Sequence, residues 1–246
     1  MGKSKDLATL KDSGLSIDGT LTTTSTGTNL TSNSYNVVKI QTDKDDNGSN
    51  DDAILQFTTG SSNTVKGELR YDESESKFEI GHGDNQGHIS IDSSGRVTKP
   101  SQPAWRIGRG STYTVTNGQN ASTAINFNLT NDTTRRFFTQ GGITVSSGVV
   151  TVPVAGVYSV SSTTRLDGVG SGYVIMSMRI NNDTAGSTGT YNIKGPSGFS
   201  SSYNTWTENT IFKLDASDTV RVYHYISNDA SFDVHYISYF SGYLLG

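Results

Sequence analysis

The sequence contains no cysteine, so it can form neither a disulfide framework nor a thiolate metal site. Proline occurs four times in 246 residues, and charged residues make up 17% of the chain, against about 25% in typical globular proteins. The net charge of −4 gives no electrostatic reason to expect nucleic-acid binding. No apolar run approaches the length of a membrane-spanning helix, so membrane insertion is not predicted.

Serine, threonine, asparagine and 27 glycines take the place of the missing charged residues. Threonine is β-branched and favours strands, whereas asparagine and glycine favour the tight turns between them. Short apolar segments recur between turn signals without a helical period. The composition and its pattern therefore predict an all-β protein.

The first part of the chain, residues 1–35, has few apolar side chains and cannot bury itself alone. We expect it to be an extended N-terminal arm that becomes ordered on a partner. Its start, Met-Gly-Lys-Ser-Lys-Asp, lacks the apolar core of a signal peptide. We therefore expect the chain to be soluble and to be made in a cytoplasm.

Residues 36–98 contain short predicted strands at regular spacing, with a hairpin turn expected at residues 72–76. Each strand face carries about one large apolar residue, which is too few to stabilise a unit of this size as a monomer. Several chains that share one axis would solve this problem. The segment is therefore interpreted as a β-stalk built from more than one chain.

Residues 99–103, Lys-Pro-Ser-Gln-Pro, form a stiff linker, because each proline favours an extended predecessor and removes a backbone donor. Apolar and aromatic residues become more frequent from Ala104 onward. Many short strands with turn signals predict a sandwich or barrel over residues 104–246, which we interpret as a jelly-roll head domain.

Three motifs in the head occur in a familiar order. They are the turn Pro153–Tyr158 (P-x-x-G-x-Y), the turn Leu214–Val220 (L-x-x-x-D-x-V) and the strand Phe240–Leu245 (F-S-G-Y-L-L). Together they resemble the complement globular-head branch of the tumour-necrosis-factor superfamily, over about residues 104–246. Ser217 departs from the pattern, because that family usually has glycine there.

This resemblance implies a ten-stranded jelly-roll sandwich that assembles as a homotrimer. It also implies that aromatic and apolar side chains pack around the three-fold axis. The candidate interface residues are Tyr223, Tyr225, Tyr236, Tyr239, Tyr243 and Leu245.

The stalk segments Gly67–Asp72 and Lys77–Gly81 resemble the shaft of a bacteriophage fibre. That resemblance implies a virion structural protein, assembled in the host cytoplasm, that serves as a tail fibre, a spike or a capsid decoration. Residues 1–35 would then anchor it to other virion proteins, and the head would contact a host cell-surface glycan or protein. One alternative is a secreted, trimeric ligand or carbohydrate-binding protein of the complement-head type, and another is a glycan-cleaving tailspike.

Candidate sites for ions and ligands are few. Asp43, Asp45 and Asn47 match the first half of a calcium loop, but Ile54 stands where the loop needs a glutamate, and a solvated turn is the alternative. No other cofactor is expected. The residues assigned to receptor-binding loops, with plain solvent loops as the alternative, are Tyr191, Phe199, Tyr203 and Trp206.

Catalysis is not expected from this sequence. A glycan-cleaving spike needs paired carboxylates, and most carboxylates of the head fall at predicted turns, where they make local hydrogen bonds. Glu208 is the exception, because it lies within a predicted strand beside Trp206. His224 and His235 lie among tyrosines on predicted strands and are expected to be structural. No catalytic residues are assigned, and the chain is predicted not to be an enzyme.

Overall fold

The computed structural model describes residues 52–59, 64–83, 85–116, 124–134, 136–169, 174–181, 190–194, 203–226 and 231–246. At residues 85–87, 116, 174, 190–194 and 226 it describes the backbone alone. The chain divides into two compact units, Met1–Gln41 and Thr42–Gly246, and the first of these lies outside the described residues. None of the described segments forms a helix with the length and apolar character needed to cross a membrane.

The stalk segment forms one antiparallel sheet in which each strand pairs with the next along the chain. Its strands are β1 (Ala53–Thr59), β2 (Thr64–Asp72), β3 (Lys77–His82), β4 (Asn85–Asp92) and β5 (Val97–Thr98). The expected hairpin turn joins β2 to β3. There Asp72 Oδ1 accepts hydrogen bonds from the Ser74 hydroxyl at 2.7 Å and the Glu75 amide at 3.0 Å.

The head segment follows with short strands throughout. They are β6 (Ala104–Gly108), β7 (Tyr113–Thr116), β8 (Phe138–Gln140), β9 (Thr144–Ser146), β10 (Val149–Thr151), β11 (Gly156–Asp167), β12 (Val174–Ile180), β13 (Thr190–Lys194), β14 (Asn204–Leu214), β15 (Thr219–Ile226), β16 (Ser231–Val234) and β17 (Tyr239–Leu244).

These strands build two sheets. The back sheet has the order β13-β12-β15-β10-β9, and the front sheet has β14 beside β11, followed by β17, β6 and β8. Both β16 and β17 pair with β11, and β7 pairs with β16 at one end. The chain crosses between the sheets from β8 to β9, β10 to β11, β11 to β12, β13 to β14, β14 to β15 and β15 to β16, which is jelly-roll connectivity.

The all-β class is confirmed. The expected count of ten head strands is not, because the described residues contain twelve strands in the two head sheets. One reason is that β16 and β17 both pair with β11 but are separated by residues 235–238, so they count as two strands.

The core lies between the two head sheets, because alternate side chains of each strand point toward the other sheet. Trp105 and Phe240 meet edge to face with ring centroids 5.7 Å apart, and Phe127 lies 5.9 Å from Phe240. Val160 and Phe212 of the front sheet join Met178 and Val222 of the back sheet in the same buried cluster. The core therefore decides which residues of each strand are left to face outward.

Candidate functional site

The outward side of the front sheet, here called the front face, carries an unusual set of exposed apolar side chains. Cross-strand register places Ile211, Ser159, Tyr243 and Ala104 in one row across four strands. Ile211 is 64% exposed and Tyr243 is 51% exposed. Other exposed apolar residues on this face or at its edge are Val157, Phe138 and Leu245. Such a group marks a candidate interaction surface.

The closing motif is explained by the way β17 packs. Phe240 and Gly242 point inward, so Tyr239, Ser241 and Tyr243 face outward. A Cβ on Gly242 would lie 2.4 Å from two atoms of the Trp105 ring, so only glycine leaves room for that indole. The glycine therefore lets Trp105 fill the core directly beneath the strand that presents Tyr243.

The P-x-x-G-x-Y turn holds the start of β11 against the chain's last residues. The buried Tyr158 hydroxyl donates a hydrogen bond to the Val154 carbonyl oxygen at 2.9 Å. Burial raises the pKa of this tyrosine. A Cβ on Gly156 would lie 2.4 Å from Leu244 Cδ1, so the absence of a side chain here leaves room for that leucine.

The L-x-x-x-D-x-V turn is closed by its aspartate. Asp218 accepts hydrogen bonds from the Asp215 amide and the Asn181 side chain, both at 2.8 Å. Ser217 adopts a φ of 73°, a left-handed conformation that favours glycine. Glycine would adopt this conformation with less strain than serine does.

A shallow pocket of about 360 Å³ lies on the front face. The residues that line it are Ala104, Trp105, Arg106, Phe138, Ser159, Ser161, Ser241, Gly242 and Tyr243. Serine side chains are short, so the aromatic rings of Phe138 and Tyr243 stand above the sheet. The Arg106 guanidinium lies over the Tyr239 ring at 4.3 Å from its centroid, which holds its charge against an aromatic surface. This arrangement suits the apolar side chains of a protein partner.

The six candidate interface residues do not form one patch within the protomer. Tyr239 and Tyr243 lie on the front face, and Leu245 follows β17 directly. Tyr236 lies between β16 and β17, with its ring centroid 4.2 Å from that of His235. The remaining two, Tyr223 and Tyr225, lie on β15 of the back sheet.

Tyr223 is also mostly covered within its own chain. It is 5% exposed, and the Arg179 guanidinium lies 4.0 Å from its ring centroid. Because β15 and β17 belong to different sheets, these tyrosines lie in two separate patches of the protomer, and their place around a three-fold axis stays a prediction.

The candidate interface residues assigned from the sequence did not include several apolar residues of the front face. Val157, Ile211 and Phe138 each stand next to a second apolar residue in the sequence, namely Tyr158, Phe212 and Phe137. Side chains alternate across a strand, so one member of each pair has to face outward when the other enters the core. Adjacent apolar residues were thus the available signal.

The residues assigned to receptor-binding loops have different outcomes. Phe199 lies outside the described residues, and so does the side chain of Tyr191, whose backbone belongs to β13. Tyr203 is well exposed, and the Arg165 guanidinium lies 4.1 Å from its ring centroid. Trp206 is 8% exposed and belongs to the core, so its assignment to a surface loop is corrected.

Polar side chains also enter the interior of the sandwich. Glu208 is buried on the inward side of β14, where its cross-strand neighbour is Ser162. His224 is fully enclosed, and its Nε2 lies 2.8 Å from the Thr164 hydroxyl oxygen. Burial lowers the pKa of His224 to about 3. Glu208 therefore offers no carboxylate to a sugar at the surface, and His224 has the buried position of a structural residue.

Other assignments fall elsewhere. The calcium candidates Asp43, Asp45 and Asn47 lie outside the described residues, as do the arm at 1–35 and the first part of the stalk, 36–51. Among the residues that the structure does describe, no cluster of three or more His, Asp or Glu side chains is placed to hold a metal ion.

Comparison with known proteins finds similarity in structure but not in sequence. No family model matches the sequence, and no curated protein does. Among solved structures, the chain is similar to the globular domain of the zebrafish complement 1qA protein, with 15% sequence identity and a TM-score of 0.40. The match covers 59% of this chain and 98% of that one.

Proposed function

We propose that this chain is the protomer of a homotrimeric, non-enzymatic structural protein of a bacteriophage virion, serving as a tail fibre, a spike or a capsid decoration. The main support for the proposed trimer is the front face of the head. Val157, Ile211 and Tyr243 project from three neighbouring strands into solvent, among serine and threonine side chains. Burying them against another protomer would remove their apolar area from water.

A closed trimer uses two different patches of each protomer, because its interfaces are heterologous. This requirement suits a head whose candidate interface tyrosines lie on two sheets. Tyr243 would contribute to one patch from the front face. Tyr225, which is partly exposed on the back sheet, would contribute to the second.

The trimer is tested by placing a charge at the centre of the front face. We expect Tyr243→Asp to give a folded monomer by light scattering, with unchanged β-structure by circular dichroism. Tyr243→Phe keeps the ring and should remain trimeric. Ala216→Asp adds the same charge in the exposed turn between β14 and β15 and should also remain trimeric. A wild-type monomer would refute the proposed assembly.

The virion role is supported by composition and chain order. An arm with few apolar residues precedes a β-stalk, and the head follows, which suits an appendage anchored at one end. We expect deletion of residues 1–35 to abolish incorporation into phage particles and to leave the trimer intact. Incorporation of the truncated chain at the normal level would overturn the anchoring role.

The head is proposed to contact a glycan or protein on the host surface. Tyr203 supports this, because its exposed ring is stacked beneath Arg165 and presents a flat face next to a cation. The inward orientation of Glu208 supports the non-enzymatic assignment. Glycan hydrolysis by the purified protein that is lost on Glu208→Gln would refute it.

A further inference from the structure

The stalk sheet has two faces of opposite chemistry. Cross-strand pairing places Leu55, Leu69 and Ile80 in one row, and Tyr71 and Phe78 in the next. The residues on this side, here called the stalk apolar face, are Ala53, Leu55, Phe57, Gly67, Leu69, Tyr71, Phe78, Ile80, His82, Ile89, Ile91 and Val97. None of these residues is Asp, Glu, Lys or Arg.

The stalk apolar face is open to solvent in the single chain. Its large side chains Leu55, Phe57, Tyr71, Phe78, Ile80 and Val97 are between 37% and 59% exposed. Five strands about 4.8 Å apart span about 19 Å across the sheet. With about 14 Å along each strand, the flat area is roughly 270 Å² before the projecting side chains are counted. Projecting side chains add to this area, and contiguous exposed apolar patches of this order often mark interaction sites.

The opposite face of the same sheet carries charged side chains that pair with one another. Arg70 forms ion pairs with Asp52 and Asp72, and Lys77 forms an ion pair with Glu79 at 2.8 Å. The Gln56 side chain donates to Glu68 at 2.7 Å. Glu68, Asp72 and Glu79 on this face are at most 8% exposed within the single chain, so the stalk apolar face is the one left uncovered.

We propose that the stalk apolar faces of three copies of this chain pack against one another and form a shared core, with the ion-paired faces outward. The inference rests on the proposed trimer. Such a trimer brings three stalk segments together, one from each chain, with the three heads at the same end. An uncharged face offers nothing to an anionic lipid surface or to a charged protein. A second copy presents an apolar surface of matching size, and sheets that pack face to face lie about 10 Å apart.

Two isoleucines form a matched pair for testing this packing. Ile80 lies on the stalk apolar face and is 37% exposed, whereas Ile54 lies beside Arg70 on the ion-paired face and is 38% exposed. The chain has no cysteine, so Ile80→Cys and Ile54→Cys each introduce a single thiol. We expect iodoacetamide to alkylate the thiol at position 80 at least tenfold more slowly in the native full-length protein. A short bis-maleimide should link two chains through position 80 and not through position 54.

Leu55→Cys provides a second reporter in the same row, in case Ile80→Cys fails to fold. Equal alkylation rates at positions 80 and 54 in a trimeric protein would overturn the shared stalk core and leave the proposed function standing. A protected thiol at position 80 that forms no two-chain product would show that something other than a second copy covers the face, which also overturns the inference. A monomer by light scattering would refute the proposed trimer itself.

Discussion

At the scale of single residues, glycine positions decide how closely the head can pack. Gly242 leaves room for the Trp105 ring, and Gly156 leaves room for Leu244. Both glycines belong to motifs that the sequence displays, but their partners come from distant positions. The motif therefore indicates that a small residue is needed, but it does not identify the side chain that packs against it.

Gly242→Ala should destabilise the head. The added methyl group would lie 2.4 Å from Trp105 and 2.9 Å from the Ser159 carbonyl oxygen, and the backbone atom cannot move aside easily. We expect the free energy of unfolding to fall by about 1–3 kcal/mol, measured by chemical denaturation. Gly110→Ala is the control, because its nearest neighbour would be Asn128 Oδ1 at 3.8 Å. Equal effects of the two substitutions would contradict the packing explanation.

His224 should make the protein sensitive to mild acid. Its pKa is about 3 in the folded protein, below the ordinary value of 6.5 in the unfolded chain, because burial disfavours the cation. Protons then bind the unfolded chain preferentially, so stability falls as the pH drops below 6.5 and levels off near 3. The slope approaches about 1.4 kcal/mol per pH unit within that window.

The matched variant for this prediction is His224→Gln, which keeps a hydrogen-bonding group near Thr164. Carboxylates such as Asp72, whose pKa is lowered chiefly by the Ser74 hydroxyl, lose their stabilisation at lower pH. We therefore expect wild type and variant to differ most in slope between about pH 6 and pH 4.5, measured by denaturation at each pH. Parallel curves would contradict the role of His224.

At the scale of strands, alternation explains both the successes and the failures of the sequence analysis. The sequence indicates where β11 and β14 run, and it displays the adjacent pairs Val157–Tyr158 and Ile211–Phe212. It does not indicate which member of each pair faces the core. That choice depends on the back sheet, because Tyr158 and Phe212 point toward it. Trp206 and Glu208 point inward for the same reason.

The turn between β14 and β15 gives a prediction at this scale. Ser217 has a φ of 73°, which costs a residue with a side chain more than it costs glycine. We expect Ser217→Gly to raise the free energy of unfolding by up to about 1 kcal/mol, because relief of strain outweighs the greater flexibility of glycine in the unfolded chain. Ser217→Val should lower it by about 1 kcal/mol or more. Thermal denaturation of the pair would show whether the order is reversed.

At the scale of the whole molecule, the two exposed apolar surfaces have the same physical character. The front face presents Ile211 and Tyr243, and the stalk apolar face presents Phe57 and Phe78. These four side chains carry no charge. Association through them would be driven by removal of apolar area from water, which salt does not screen.

The proposed trimer should therefore persist at high ionic strength. Raising the salt concentration from about 0.1 M to about 1 M shortens the Debye length from about 10 Å to about 3 Å and weakens exposed ion pairs. We expect the sedimentation coefficient and the dissociation midpoint to stay unchanged or to shift toward the trimer. Dissociation at high salt would point to an interface held by charges instead.

The sequence by itself determined the all-β class, the hairpin turn at residues 72–76 and the closing turns of the head, because these depend on local backbone preference and spacing. Tertiary structure alone decided the distribution of the tyrosines between two sheets, the burial of Trp206 and the exposure of Ile211. The alternation of side chains along a strand can be recognised from the strand's own sequence. Which of its two sides becomes the core is decided by the sheet that packs against it.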